Sequence, residues 1–69
     1  MKTTTIRDDF IELYKLLKRE NMVASGGEAK YVIGEGLVTV NGEIETRKRK
    51  KIVIGDSIEF NGESVRLID

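Results

Sequence analysis

Five adjacent cations, Arg47-Lys48-Arg49-Lys50-Lys51, are the densest concentration of chemistry in this 69-residue sequence. Neighbouring like charges repel and add nothing to folding, so a polyanion such as nucleic acid is their natural partner. In extended chain, alternate side chains face opposite ways. Arg47, Arg49 and Lys51 then share one side, with Lys48 and Lys50 opposite. The bland alternative is a solvated edge that lysine guards against aggregation. Other reactive groups are scarce. His and Cys are both absent. That removes the commonest general base, the thiolate nucleophile and the usual zinc ligands. Asp8 with Asp9, and Glu43 with Glu45, lack the oxygen-rich loop of a calcium site. Gly26-Gly27 is followed by no Gly-Lys-Ser/Thr, so it is not a phosphate-binding loop. The expectation is a protein that is not an enzyme and uses no metal, cofactor or small-molecule substrate.

Charge distribution sharpens this reading. Twelve basic residues balance twelve acidic ones overall. Residues 24–51 carry six basic residues against four acidic ones, and residues 52–69 carry one against four. A basic face and an acidic face are expected. The length suits one domain, residues 1–69, with marginal stability. With no disulfide possible, packing and backbone hydrogen bonds must hold it. The cysteine-free composition fits a reducing cytoplasm. No apolar run approaches the roughly 20 residues of a membrane span. Met1-Lys2-Thr3-Thr4-Thr5 leads into polar sequence, unlike a signal peptide. A mature, unexported monomer is the expectation.

The elements that must position the cations can be read from periodicity. Residues 9–19 fit a helix in which Asp9 and Glu12 form a capping box. Phe10, Leu13, Tyr14 and Leu17 make its apolar stripe, widened by Leu16. Ser25-Gly26-Gly27-Glu28 is a second capping box and opens another helix. Its inner stripe is Ala29, Val32 and Ile33, and Gly36 suits a left-handed C-terminal cap. Leu37–Val40, the turn Asn41-Gly42 and the return Glu43–Thr46 read as a hairpin. Ile52–Ile54 reads as a strand turned by Gly55-Asp56. Ser57–Phe60, Asn61-Gly62 and Ser64–Ile68 form a second hairpin. Thr3–Ile6 is a candidate edge strand. The class is α+β: two N-terminal helices packed on a small antiparallel sheet of about four to five strands.

Ser25, Ala29, Val32-Ile33, Gly36, Val38, Val40-Asn41-Gly42, Ile52 and Gly55-Asp56 together resemble the alpha-L motif of the RNA-binding domain named after ribosomal small-subunit protein S4. Leu13 and Leu16-Leu17-Lys18 fit that motif's first helix. The small size, Ser25-Gly26-Gly27 and Glu45-Thr46-Arg47-Lys48-Arg49 resemble its stand-alone bacterial, YbcJ-like branch. The resemblance implies binding of structured RNA, rRNA or tRNA, by a docking module without catalysis. Many members place Arg directly after the capping Ser, where this chain has Gly26.

The RNA-binding candidates are therefore Arg47, Lys48, Arg49, Lys50 and Lys51, joined by Lys30, Lys18 and Lys15, with Arg19 beside them. Ser25 and Gly26 join them at the second helix start, where free amides attract phosphate. Phe10, Tyr14 and Phe60 are expected in the core. That favours recognition by shape and phosphates over base stacking. A protein-interaction adaptor that keeps the fold without RNA affinity is the alternative.

Overall fold

The computed structural model describes residues 1–69. Strand β1 (Lys2–Thr5) leads to a two-residue strand β2 (Ile11–Glu12) and helix α1 (Leu13–Arg19). Helix α2 (Gly26–Gly34) follows, then strands β3 (Val38–Val40), β4 (Glu43–Ile44), β5 (Lys51–Ile52), β6 (Ser57–Phe60) and β7 (Glu63–Ile68). Five strands form one sheet in the order β1-β7-β6-β3-β4, and β2 pairs with β5 in a separate ribbon.

Helix α2 is locally encoded. The Glu28 N–H donates to Ser25 Oγ at 3.1 Å, and the Ala24 N–H donates to Glu28 Oε1 at 2.7 Å. The capping box therefore closes one residue further out than its usual form. At the other end Gly36 sits at φ 76°. The Leu37 N–H reaches Val32 O and the Gly36 N–H reaches Ile33 O, which is a Schellman stop. Ser25→Ala should cost about 1 kcal/mol, as N-cap truncations do. A urea-denaturation midpoint measures it.

Helix α1 starts four residues later than its periodicity suggests. Asp9 does not cap it. Ile11 and Glu12 are drawn into antiparallel pairing with Ile52 and Lys51. Glu12 becomes the N-cap without a side-chain cap bond. The free amides are satisfied from far along the chain: the Leu13 N–H donates to Lys50 O at 2.9 Å, and the Tyr14 N–H to Lys48 O at 3.0 Å. A tertiary backbone contact has displaced a plausible local cap.

Both Asn-Gly pairs make the expected two-residue turns. Asn41 and Gly42 lie at φ 53° and 86°, Asn61 and Gly62 at 54° and 80°, the positive values a type I′ turn requires. The second hairpin pairs Ile58 with Val65, and β3 pairs with β6 across the two hairpins, placing Val40 opposite Ile58. Val38, Val40, Ile58, Val65 and Leu67 consequently share the inner face. They close on Leu13, Leu16, Leu17, Ala29, Val32 and Ile33 of the helices, with Val23 and Ile52 completing the core. The sheet is antiparallel through β4, β3, β6 and β7, but β1 runs parallel to β7. No hairpin joins those two strands, so nothing local sets their direction.

Two expected strands contract, the return strand 43–46 to Glu43–Ile44 and the strand 52–54 at its far end. The expected strand 52–54 keeps only Ile52; from Val53 the chain turns, with the Asp56 N–H donating to Val53 O at 3.0 Å. Asp56 then accepts from the Val53 N–H and the Asn41 side-chain amide, each at 2.9 Å. Asn41 Oδ1 accepts from the Ser57 N–H at 2.9 Å. The two turns are thus tied to each other.

Candidate nucleic-acid interface

The five-cation run is a turn, not an extended segment. The Lys50 N–H closes on Arg47 O at 3.2 Å. The strict odd-even division of its side chains does not apply. Lys48, Arg49 and Lys51 are exposed, and Lys50 is half-buried. The two carbonyls that cap α1 belong to Lys48 and Lys50, so the turn is fastened to the start of that helix.

Arg47 differs from its neighbours. Its Nε donates to Glu45 Oε2 at 2.8 Å and its Nη2 to Glu45 Oε1 at 3.0 Å. Its backbone N–H also donates to Glu45 Oε2, at 2.9 Å. This forked grip is the strong form of charge-assisted bonding. The guanidinium bonds, then the backbone bond, hold the Glu45 carboxyl at about 2 against its ordinary 4.5. Bonding to Glu45 in turn raises the Arg47 pKa. A depressed carboxyl pKa stabilises the folded state fully above the ordinary value, and that contribution fades as pH falls from 4.5 towards 2. Arg47→Gln should return Glu45 towards its ordinary value. An NMR titration of the Glu45 side-chain carboxyl reads this directly.

Tyr14 gathers the remaining cations. Its backbone holds the basic turn through Lys48 O. Its ring lies 4.9 Å from Lys30 Nζ on α2 and 5.9 Å from Lys15 Nζ on α1. Lys15 also pairs with Glu12 at 3.3 Å. Lys18 is exposed one turn further along α1. None of the molecule's ion pairs involves Lys18, Lys30, Lys48, Arg49, Lys50 or Lys51. Arg47, Arg49, Lys50 and Lys51 line a shallow groove of about 370 Å³. Arg49, Lys50 and Lys51, which enter no ion pair, suit a phosphate chain there.

Three sequence candidates read differently in three dimensions. Arg19 turns away from this surface and bonds Thr4 Oγ1 and the Thr5 carbonyl of β1, with Glu20 Oε2 at 3.4 Å. Ser25 spends its acceptor on Glu28, leaving its hydroxyl proton to donate. Gly26 stands in open space, where an added Cβ meets nothing within 4 Å. Close packing therefore does not explain the absence of a side chain there.

The sequence reading missed two features. Glu45 neutralises Arg47, and its only sequence signal is the Glu-x-Arg spacing. Phe10 is not a core residue: it is 38% exposed, with Lys51 Nζ 4.8 Å from its ring centroid. A helix over residues 9–19 would bury it, but α1 begins only at Leu13 and Phe10 precedes it in non-helical chain.

Two helices packed on a hairpin-built sheet are the architecture of an alpha-L motif domain. The chain belongs to the S4 domain family, whose model matches residues 4–68. It is 50% identical over 58 residues to Escherichia coli K12 YbcJ, covering 84% of this chain and 83% of that protein. YbcJ is named as a proposed RNA-binding protein. Over 58 residues it is 36% identical to Bacillus subtilis RlbA, covering 84% of this chain and 82% of that protein. RlbA is named for a proposed part in ribosome maturation. The solution structure of E. coli YbcJ, described as having an alpha-L motif involved in RNA binding, superimposes with a TM-score of 0.76 at 44% identity. It covers 100% of this chain and 89% of that one. Ribosomal protein S4e of Thermoplasma acidophilum gives 0.73 at 30% identity, over 87% of this chain and 32% of that one.

Proposed function

We propose that the chain binds structured RNA, rRNA or tRNA, as a single non-catalytic domain working as a monomer in the bacterial cytoplasm. The contact surface is the basic turn Arg47–Lys51 together with Lys15, Lys18 and Lys30 on the outer faces of the helices, and the start of α2 at Ser25 and Gly26. The observation that carries this reading is that Lys18, Lys30, Lys48, Arg49, Lys50 and Lys51 enter no ion pair, on a basic turn fastened to α1 and on the two helices beside it. The names given to YbcJ and RlbA support it. Acidic Glu59 and Glu63 lie on β6 and β7, and in this reading that part of the sheet faces away from RNA.

The test is retention of structured rRNA fragments and tRNA across a salt series. Phosphate contacts release counterions, so affinity should fall steeply and log-linearly with salt. No retention even at low salt would overturn the proposal and favour a protein partner.

A further inference from the structure

We infer that Phe10 is a stacking platform for an unpaired nucleobase lying beside the RNA that the basic turn holds. This inference rests on the RNA-binding reading above and adds a base-contacting subsite to it.

Two grooves meet at Lys51, and their chemistries differ. One is lined by Arg47, Arg49, Lys50 and Lys51, all cations. The other, about 590 Å³, is lined by Asp8, Phe10, Ile11, Glu12, Lys15 and Lys51. Phosphate suits the first. The second brings two carboxylates to the same walls as an aromatic ring. Carboxylates repel phosphate but accept from the N–H groups that nucleobases present on their edges. Glu12 is partly satisfied by Lys15, whereas Asp8 enters no ion pair. An apolar face, an acceptor and flanking cations together match a base and its adjoining phosphates.

The ring is placed for this. The pairing of Ile11 with Ile52 holds the chain beside it, and Lys51 in the same ribbon lies over it. Aromatic stacking with a neighbouring cation is a common way of holding unstacked bases. Lone exposed apolar residues are ordinary on protein surfaces. What sets Phe10 apart is that its groove shares a wall, Lys51, with the all-cation groove. A strand crossing Lys51 can lay phosphate on one side and a base on the other.

The test uses three RNA hairpins: one blunt, one with a short single-stranded overhang, and one whose overhang is abasic. Wild type should bind the overhang hairpin roughly tenfold more tightly than the other two, within the range measured for single stacked bases. Phe10→Leu should remove that preference and leave blunt-hairpin affinity intact. The chain has no Trp, so Phe10→Trp supplies a single tryptophan that can be excited apart from the two tyrosines, and the overhang hairpin should quench it while the abasic one should not. Equal binding of all three by wild type overturns this inference alone. Equal loss on all three in a folded Phe10→Leu variant also overturns it, because a merely structural residue behaves that way. If wild type binds none of them, the RNA-binding reading fails and takes this inference with it.

Discussion

Replacing Lys48, Arg49 and Lys51 together with alanine is expected to lower RNA affinity by roughly 500-fold at 0.1 M salt and to flatten its salt dependence. The estimate counts three phosphate contacts, each contributing about 0.9 to the slope of log affinity against log salt. These three are the residues to change because their side chains are exposed and unpaired. Alanine keeps the Lys48 carbonyl that caps α1, and Lys50 is untouched. Arg47 is spared because its guanidinium is committed to Glu45. Circular dichroism should therefore be unchanged. Arg66→Ala, an exposed cation on β7 whose neighbours in register are Thr3 and Ser57, is the control and should bind like wild type. A triple variant that keeps its affinity and its salt slope would remove the basic turn from the interface.

The largest stability effect is expected at Ile52. This side chain is fully buried, in the ribbon that brings the basic turn to α1. Ile52→Ala should cost about 2–5 kcal/mol, the usual loss for a buried aliphatic truncation. A chain of this length has only roughly 3–10 kcal/mol to lose. At about 4–8 °C per kcal/mol for small domains, the melting temperature should fall by at least about 8 °C. Ile68→Ala, on an exposed position of β7, should stay within about 0.5 kcal/mol of wild type. A calorimetric scan of both variants decides it; similar melting temperatures for the two would mean that the ribbon is not part of the cooperative core.

Most of the scaffold was legible because its instructions are local. Ser25 with Glu28, Gly36, and the two Asn-Gly pairs each act within a few residues, and each behaves as its chemistry dictates. The alternation in β3, β6 and β7 likewise sorted Val38, Val40, Ile58, Val65 and Leu67 onto the core side. What failed was non-local. Asp9 and Glu12 look like a capping box until Ile52 and Lys51 arrive to pair with the chain beside them. The direction of β1 depends on a strand at the opposite end of the sequence. The candidate site was legible as a list of cations. It was not legible as a geometry, since Lys15 and Lys30 meet through the Tyr14 ring and Arg47 is withdrawn by Glu45. No periodicity encodes either arrangement.

The capping of α1 by Lys48 and Lys50 carries a consequence for the order of folding. Helix α2 and both Asn-Gly hairpins close over short loops and can form early, as contacts of low sequence separation do. Helix α1 has only seven residues, too few to persist alone. It cannot be secured until a segment about 35 positions downstream has arrived, a closure costing on the order of 3 kcal/mol in chain entropy. Kinetic φ-values should therefore be high at Asn61 and Ser25 and near zero at Ile52. On a chain emerging from the ribosome, the proposed RNA-binding surface would mature only after α2 and the first hairpin. A truncated or stalled product would carry the cations without the arrangement that directs them.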